Sequence, residues 1–462
     1  MRAAVAIASF FLFVLLARRW SGAELGEFST LFAFFLILQQ APLLGLHVPL
    51  MRELAASPQS LSEIGPSIAA IGVSAGALLG AGLGLAGVRF YPPSMHASFW
   101  LLGASLVPSA LILVGESVLL ARERLDRVAV ITVAESLVRS GLWLLVVTFG
   151  AGLTSLFLIL TTLRVLTLLV YYSHRDLRSV LRIWRGKPQT IARLLALAPT
   201  FAGILLLAGG INRLDFITLS RLGTMEQVGQ YSAPYKIYET ALMVPSVLAL
   251  TLFPAFARAF AASGPGFEAL VRQFLRACLT VGLPCAIALG FSAAPLVVGL
   301  FGPEFEMAAV VLATLAIVPV LVAADQALTM ALLAAGHEQL DLRVLACACA
   351  LYLLALAALI PSAGIEGAAI ATLATAIVQM TLRYGAVRRR LGLAGMGGLV
   401  ARPLLAGALM AAAIWAARPL ALPVALAAGV AVYALTLTAL RAVTADDVHW
   451  LLGALQRPRE AA

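Results

Sequence analysis

The sequence predicts an all-α polytopic membrane protein with about fourteen transmembrane helices: two six-helix lobes related by a parallel repeat, plus two C-terminal helices. Three observations predict it. The mean hydropathy is +0.99, and of 462 residues 62% are hydrophobic and only 12% charged, which excludes a soluble multidomain chain. Apolar runs of roughly 20 residues recur between short polar breaks, and a helix of that length crosses about 30 Å of hydrocarbon. A short motif near the start also returns 203 residues later.

The runs place spans near residues 3–17, 28–48, 65–88, 98–120, 128–149, 153–172, 194–219, 230–254, 272–297, 307–334, 344–361, 365–384, 398–417 and 421–440. The first is short and follows only Met1 and Arg2, so it reads as a tilted crossing or as the product of a start site placed too late. It is too embedded in the later pattern for a cleaved signal peptide. Lys and Arg near span ends are retained in the cytoplasm. One set of loops collects Arg52, Arg122, Arg124, Arg127, the block Arg175, Arg178, Arg182, Arg185, Lys187 and Arg193, and then Arg388, Arg389 and Arg390. The opposite set holds few: Arg18, Arg19, Arg89, Arg221 and Arg418. Both termini are therefore expected in the cytoplasm. The organisation follows as an N-terminal lobe over 1–173, a cytoplasmic linker over 174–193, a second lobe over 194–390, and two further spans with a cytoplasmic tail over 391–462.

The net charge of +10 reads as topology plus attraction to anionic lipid headgroups, not as nucleic-acid binding, because no basic run outside the spans is interleaved with aromatics. Cys278, Cys285, Cys347 and Cys349 all fall within spans, where cysteine acts as a small apolar residue. The five histidines are scattered singly, with no zinc-type spacing. No metal or cofactor is expected.

Aligning Arg18 with Arg221 sets Gly26 on Gly229, Phe28 on Tyr231 and Ser29 on Ser232. A second echo pairs "LDRV" at 125–128 with "LDLRV" at 340–344. An offset of six crossings keeps both copies in one orientation, so the repeat is parallel, its axis along the membrane normal. The alternative is that tight, positive, glycine-containing loops look alike anywhere.

The hairpin "ARRWSGAELGEFSTLFAFFLILQQAPLLGLHVPLMREL" resembles the first hairpin of polysaccharide flippases, the oligosaccharide-exporter branch of the superfamily that also holds multidrug and toxic compound extrusion transporters. "VGQYSAPYKIYETALMVPSVLALTLFPAFAR" is similar to that family's eighth helix and its entry loop. "LLAAGHEQLDLRVLACACALYLLALAALIPSAGIEGAAIATL" is similar to its tenth to twelfth helices, with the turn at Ile360, Pro361, Gly364 and Gly367; Tyr352 stands where an asparagine is common. The resemblance covers nearly the whole chain and implies a flippase of lipid-diphosphate-linked sugars in the bacterial inner membrane, serving surface polysaccharide (O-antigen) synthesis. Its partners are then the lipid-linked oligosaccharide, membrane lipids, and the polysaccharide polymerase and glycosyltransferases of the pathway.

A charge near the bilayer centre costs about 2.5–3.5 kcal/mol on insertion scales, so such residues face a bundle interior or a wet cavity. Here they are Glu116, Glu135, Arg139, Arg164, Arg213, Asp215, Lys236, Glu239 and Asp325. Glu135 and Arg139 are spaced for an intrahelical pair, as are Lys236 and Glu239. Guanidinium groups bind phosphate oxygens bidentately and Lys supplies a point charge, so Arg213, Lys236, Arg164 and Arg139 are the candidate substrate-binding residues; the resemblance implies a cationic central cavity for that use. The other reading is that they only join helices, and the buried acids equal or exceed the buried bases. Asp215, Glu239 and Asp325 are candidates for a coupling proton or cation. Pro199, Pro245, Pro319 and the pair Gly209–Gly210 are expected to interrupt helices.

Two other functions compete. A drug or cation antiporter would share the superfamily. A membrane glycosyltransferase, polymerase or ligase would need positioned carboxylates in a sizeable outer loop, whereas the outer loops are short and lack paired aspartates. No Gly-Lys-Ser or Gly-Lys-Thr sequence points to nucleotide use.

Overall fold

The computed structural model describes residues 2–174, 177–178, 180–183, 186–210, 213–261, 266–392 and 397–440. Arg175, Arg185 and the tail from residue 441, all assigned above to the cytoplasm, lie outside the described residues. Helices run in the order α1 (Arg2–Arg19), α2 (Gly22–Leu38), α3 (His47–Ala56), α4 (Leu61–Phe90), α5 (Pro93–Ala121), α6 (Leu125–Thr148), α7 (Leu153–Ser173), α8 (Pro188–Gly210), α9 (Leu214–Leu222) and α10 (Met225–Ala261). They continue with α11 (Gly266–Phe291), α12 (Ala293–Phe301), α13 (Ala309–Leu315), α14 (Val318–Ala334), α15 (Glu338–Leu391), α16 (Gly397–Ala416) and α17 (Leu422–Ala439). Among the described residues there is no strand. Nine helical segments there are long and apolar enough to cross a membrane, and the chain is a multi-pass membrane protein.

Among the described residues every expected span falls on helix, although several are broken. The span expected over 28–48 stops at Leu38; a 3-10 turn covers Ala41–Leu43, Leu44 turns left-handed at φ 50, and α3 starts at His47. Pro42 accounts for the break, since it has no amide donor to continue the ladder. Pro319 sits in the opening positions of α14, where the missing donor costs nothing, and the pair Gly209–Gly210 closes α8. Pro199 and Pro245 lie inside α8 and α10, which run on past them. Those two prolines therefore do not end their helices: neighbouring groups re-satisfy a freed backbone carbonyl in a membrane helix.

By internal contact the chain divides into two compact units, Met1–Ser232 and Ala233–Ala462, the division falling inside α10. In the first unit α4 lies along α5 through Gly72, Gly76, Gly80 and Gly84, one every four residues. A Cβ on Gly80 would stand 2.9 Å from the carbonyl carbon of Gly103, and one on Gly76 3.3 Å from the backbone of Val107. Small residues at this spacing let backbones approach, which is how helices associate where lipid removes the hydrophobic drive. Leu43, Leu50, Ile64, Ile68, Val114, Val118 and Tyr171 fill the space beside this seam.

The repeat is visible inside this unit as well. Ser21 and Glu24 form a capping box at the start of α2, and Thr224 and Gln227 exchange the same two bonds at the start of α10, 203 residues on. Each box satisfies two orphan amide donors of its helix. The helices so capped meet: a Cβ on Gly26 would overlap the Met225 carbonyl, and one on Gly229 would overlap the Gly22 carbonyl. At the same offset Gly22 corresponds to Met225 and Gly26 to Gly229, so the two contacts are mates of one another, the self-complementary pattern of a two-fold interface.

In the second unit α15 comprises two arms, because Gly364 has non-helical angles (φ 53, ψ −125), a conformation glycine adopts without Cβ strain. The arms pack antiparallel. Tyr352 and Thr372 share a hydrogen bond of 3.0 Å and Arg383 reaches Asp341 at 2.7 Å; the first pair lies ten residues and the second twenty-one residues either side of Ser362. Tyr352, in a position where the family has asparagine, thus finds a polar partner on the facing arm. α14 packs against this hairpin and α11, with Phe274, Ala324, Ala327, Leu328 and Val387 buried between them. α16 and α17 form a further pair around Met410, Ile414 and Tyr433.

Candidate functional site

Five of the nine buried charges expected from the sequence fall in two clusters, one in each unit: Glu116, Glu135, Arg139 and Arg164 in the first and Asp325 in the second. In the first unit Glu135 and Arg139 are one turn apart on α6 and pair at 3.2 Å. Arg164, from α7, adds a second cation to the same carboxylate: its Nε lies 3.6 Å from Glu135 Oε1, and its Nη2 donates to Gln39 Oε1 at 3.0 Å, just past the end of α2. The Arg164 guanidinium also lies 5.0 Å from the Phe35 ring centroid and that of Arg139 5.6 Å from Trp143, distances at which a cation is attracted to the ring face. Phe28, Phe32 and Phe157 extend this aromatic wall, and Trp143 is held in place by its Nε1–H donating to Leu156 O at 2.9 Å. Glu116 on α5 accepts from Tyr171 at 3.3 Å.

Two arginines therefore share Glu135, with a second acid nearby. Arg164 Nε is buried and faces Glu135 as an ion pair longer than a hydrogen bond, so the cluster has a single carboxylate oxygen, Glu135 Oε1, serving both guanidinium groups. Chemically it can receive an anion such as a phosphate oxygen, for which arginine forks are matched. The spacing of Glu135 and Arg139 predicted their pairing; that Arg164 joins them was beyond spacing, because the two lie on different helices.

In the second unit Asp325 is 6% exposed on α14 and Arg383 4% exposed on the second arm of α15. Arg383 Nη1 donates to Asp325 Oδ2, and its Nε donates to Asp341 Oδ1 at 2.7 Å. Gln379, one turn earlier, donates to Asp325 Oδ2 at 2.9 Å. Asp325 was a sequence candidate; Asp341, Gln379 and Arg383 were not. The "LDLRV" echo contains Asp341 but its role needed a partner. The missing signal was the hairpin geometry about Ser362, which sets Asp341 opposite Arg383. Each unit thus presents the same order of charges along successive helices: Glu116, Glu135 and Arg164 on α5, α6 and α7, and Asp325, Asp341 and Arg383 on α14 and the two arms of α15.

The remaining candidates sit elsewhere. Lys236 and Glu239 pair at 2.9 Å on α10, half-buried, in the second unit. Arg213 belongs to the first unit, preceding α9, with its guanidinium 5.8 Å from the Phe216 ring. Asp215, 1% exposed, accepts from the Phe216 amide at 2.9 Å and from Tyr231 at 2.8 Å; both oxygens are engaged in the first turn of α9, where a carboxylate complements the helix dipole. Two arginines, each in the last turn of its own helix, close the ends of other helices: Arg19 donates to Val147 O and Thr148 O at 3.3 and 3.2 Å, and Arg221 to Phe90 O at 2.7 Å.

Residues 15–310 match the profile of a family described as "polysaccharide biosynthesis protein". Among solved structures the chain is similar to the lipid II flippase MurJ in an inward closed conformation, with a TM-score of 0.74, 13% identity, 94% of this chain and 96% of that chain covered. It is similar to an inward-facing multidrug resistance MATE transporter of the MOP superfamily at TM-score 0.65 and 13% identity, over 85% of this chain and 96% of that one. The Vibrio cholerae MATE transporter VcmN in its bent form gives TM-score 0.51 at 16% identity, over 85% and 99% of the two chains. At such identities what is shared is the fold. No match is found among curated protein sequences.

Proposed function

The chain belongs to the family of polysaccharide biosynthesis proteins, and from that premise we propose that it is a secondary transporter flipping a lipid-diphosphate-linked oligosaccharide across the membrane by alternating access between two lobes. The observation that carries this reading is the pair Arg139 and Arg164 gathered on one carboxylate oxygen, two buried guanidinium groups against Glu135. A diphosphate offers oxygens that such a fork binds strongly where water is scarce. Similarity to a structure described as a lipid II flippase points to the same ligand class. Arg213 and Lys236 are further candidates for the anionic headgroup, and Asp325, Glu239 and Asp215 for a coupling ion. The lipid-linked sugar is carried without chemical change, so the protein is not an enzyme.

The distribution of basic residues supports both termini and the 174–193 segment in the cytoplasm, and the family resemblance supports a bacterial inner membrane. A polymerase and glycosyltransferases of O-antigen or related lipopolysaccharide synthesis are then its pathway partners. The similarity to multidrug transporters favours one second reading, an organic-cation antiporter. Proteoliposomes offered a fluorescent lipid-linked oligosaccharide and a cationic dye in parallel separate the two. Movement of the oligosaccharide, reduced in Arg164→Gln, is expected; movement of the dye alone would replace the flippase with the antiporter.

A further inference from the structure

Counted by sign, the Asp325–Asp341–Arg383 cluster holds two carboxylates and one guanidinium. It is enclosed: the Arg383 and Asp325 side chains retain 5% and 9% of their exposure, and that of Asp341 16%. An uncompensated charge in such a place is expensive, and the group takes up a neutralising partner instead. The carboxylate oxygens are not equivalent. Asp325 Oδ2 accepts from both Arg383 and Gln379 and Asp341 Oδ1 from Arg383 Nε. Asp325 Oδ1, by contrast, is buried with no hydrogen-bond partner among the described residues. Nor are the two acids equivalent. Asp341 lies in the first turn of α15, where the helix dipole favours its anion, while Asp325 sits mid-helix on α14 without that help.

α15 carries Glu338, Asp341, Arg343, Glu366, Arg383, Arg388, Arg389 and Arg390, of which Arg383 bonds both Asp325 and Asp341; α11 carries Glu268, Arg272 and Arg276, of which the first two pair with each other; α10, whose Phe256 joins the same apolar cluster, carries Arg258 in its last turn. The side of α14 toward α11 is apolar, with Phe274, Leu275 and Cys278 in the shared cluster.

We propose that this cluster is an exchangeable proton site: one proton is carried on Asp325 Oδ1, with Arg383 and Asp341 as positioning residues. Rested on the flippase reading, it deepens the coupling role suggested for Asp325. Arg383 holds Oδ2 and so turns Oδ1 away as the one oxygen free to take a proton. Asp341, the most exposed member, links it to the end of the helix pair, so the proton comes from and returns to water there. With the proton bound, one guanidinium balances one carboxylate. On release the cluster carries an extra negative charge, which favours rearrangement of α14 against the α15 hairpin.

The test is infrared difference spectroscopy of the purified protein, without substrate, as pH is stepped. A titrating carboxylic-acid C=O band is expected in the wild type and should be lost in Asp325→Asn, which leaves the balanced Arg383–Asp341 pair and should fold. If that variant nevertheless fails to fold, Asp341→Asn decides: Arg383 then has only Asp325 to balance it, so the band should titrate at more acidic pH. A band unchanged in either variant overturns the proposal, as does a band at fixed pH that sodium chloride abolishes and choline chloride does not, which would make the ligand a metal cation. The proton site is read without transport, so failure of the flippase reading and failure of this one are distinguishable. In vesicles that do flip oligosaccharide, an imposed pH gradient should change the rate for the wild type and not for Asp325→Asn; an equal response in both would also overturn it.

Discussion

Adding a single methyl group at Gly26 should force α2 and α10 apart at their starts. A Cβ there would lie 2.8 Å from the carbonyl carbon of Met225 and 3.0 Å from the amide nitrogen of Gly229, where ordinary contact begins near 3.4 Å. The backbones must therefore separate by more than half an ångström, and further to clear the Met225 oxygen. Overpacking of this kind costs about 1–3 kcal/mol, against which alanine returns up to about 1 kcal/mol of helix propensity. Gly229→Ala meets the mate of this contact, 2.7 Å from the carbonyl carbon of Gly22, and should cost a similar amount. One separation of the same two helices clears both. The double variant should thus cost clearly less than the sum, with a coupling energy on the order of 1 kcal/mol. Thermal unfolding midpoints of the purified protein in detergent measure this. Gly82→Ala is the control, since a Cβ there meets nothing within 4 Å and should be neutral or mildly stabilising. Strict additivity, or a Gly26→Ala midpoint equal to that of Gly82→Ala, would refute the paired crossing.

Four further outcomes are expected. Glu135→Gln leaves Arg139 and Arg164 facing each other without their shared carboxylate and should cost about 3–5 kcal/mol, seen as reduced yield of folded protein, whereas Glu135→Asp should be milder. Gly364→Ala places a Cβ on a backbone at φ 53, ψ −125, a strain of about 1–3 kcal/mol; it should lower the unfolding midpoint, and an unchanged midpoint would mean that the hairpin turns elsewhere. Lys236→Gln combined with Glu239→Gln removes both charges of that pair and should insert normally; full transport in the double variant would remove Lys236 from the substrate site. Reporter fusions at Lys187 and Gly302 should give opposite signals, and matching signals would show that the count of crossings between them is off by one.

Fold class and the repeat were legible because both rest on local pattern: hydropathy over about 20 residues and a motif that returns with the same glycines. The capping boxes at Ser21 and Thr224 belong to that motif, and "SGAE" is itself a box signature. The breaks at Pro42 and Pro319 were less legible, because a proline says only that the ladder loses a bond, not whether a helix ends or runs on. At the candidate sites, charges spaced three or four apart on one helix could be paired by inspection, as at Glu135–Arg139 and Lys236–Glu239. Charges joined across helices could not. Arg164 reaches Glu135 from α7, and Arg383 reaches Asp325 and Asp341 from two directions; only the packing of the arms decides those meetings. Arg383 escaped notice for a further reason: it lies at the end of its apolar run, where an arginine ordinarily snorkels to the interface, yet here it is turned inward.

The measurement that bears most directly on transport without chemistry is a leaflet assay on the purified protein in vesicles, loaded on one side with a fluorescent lipid-diphosphate-linked oligosaccharide. The label should pass to the opposite leaflet faster than in protein-free vesicles, more slowly with Arg164→Gln, and the recovered lipid should be chromatographically unchanged. Release of lipid diphosphate, lengthening of the glycan, or no movement above the protein-free rate would contradict a flippase.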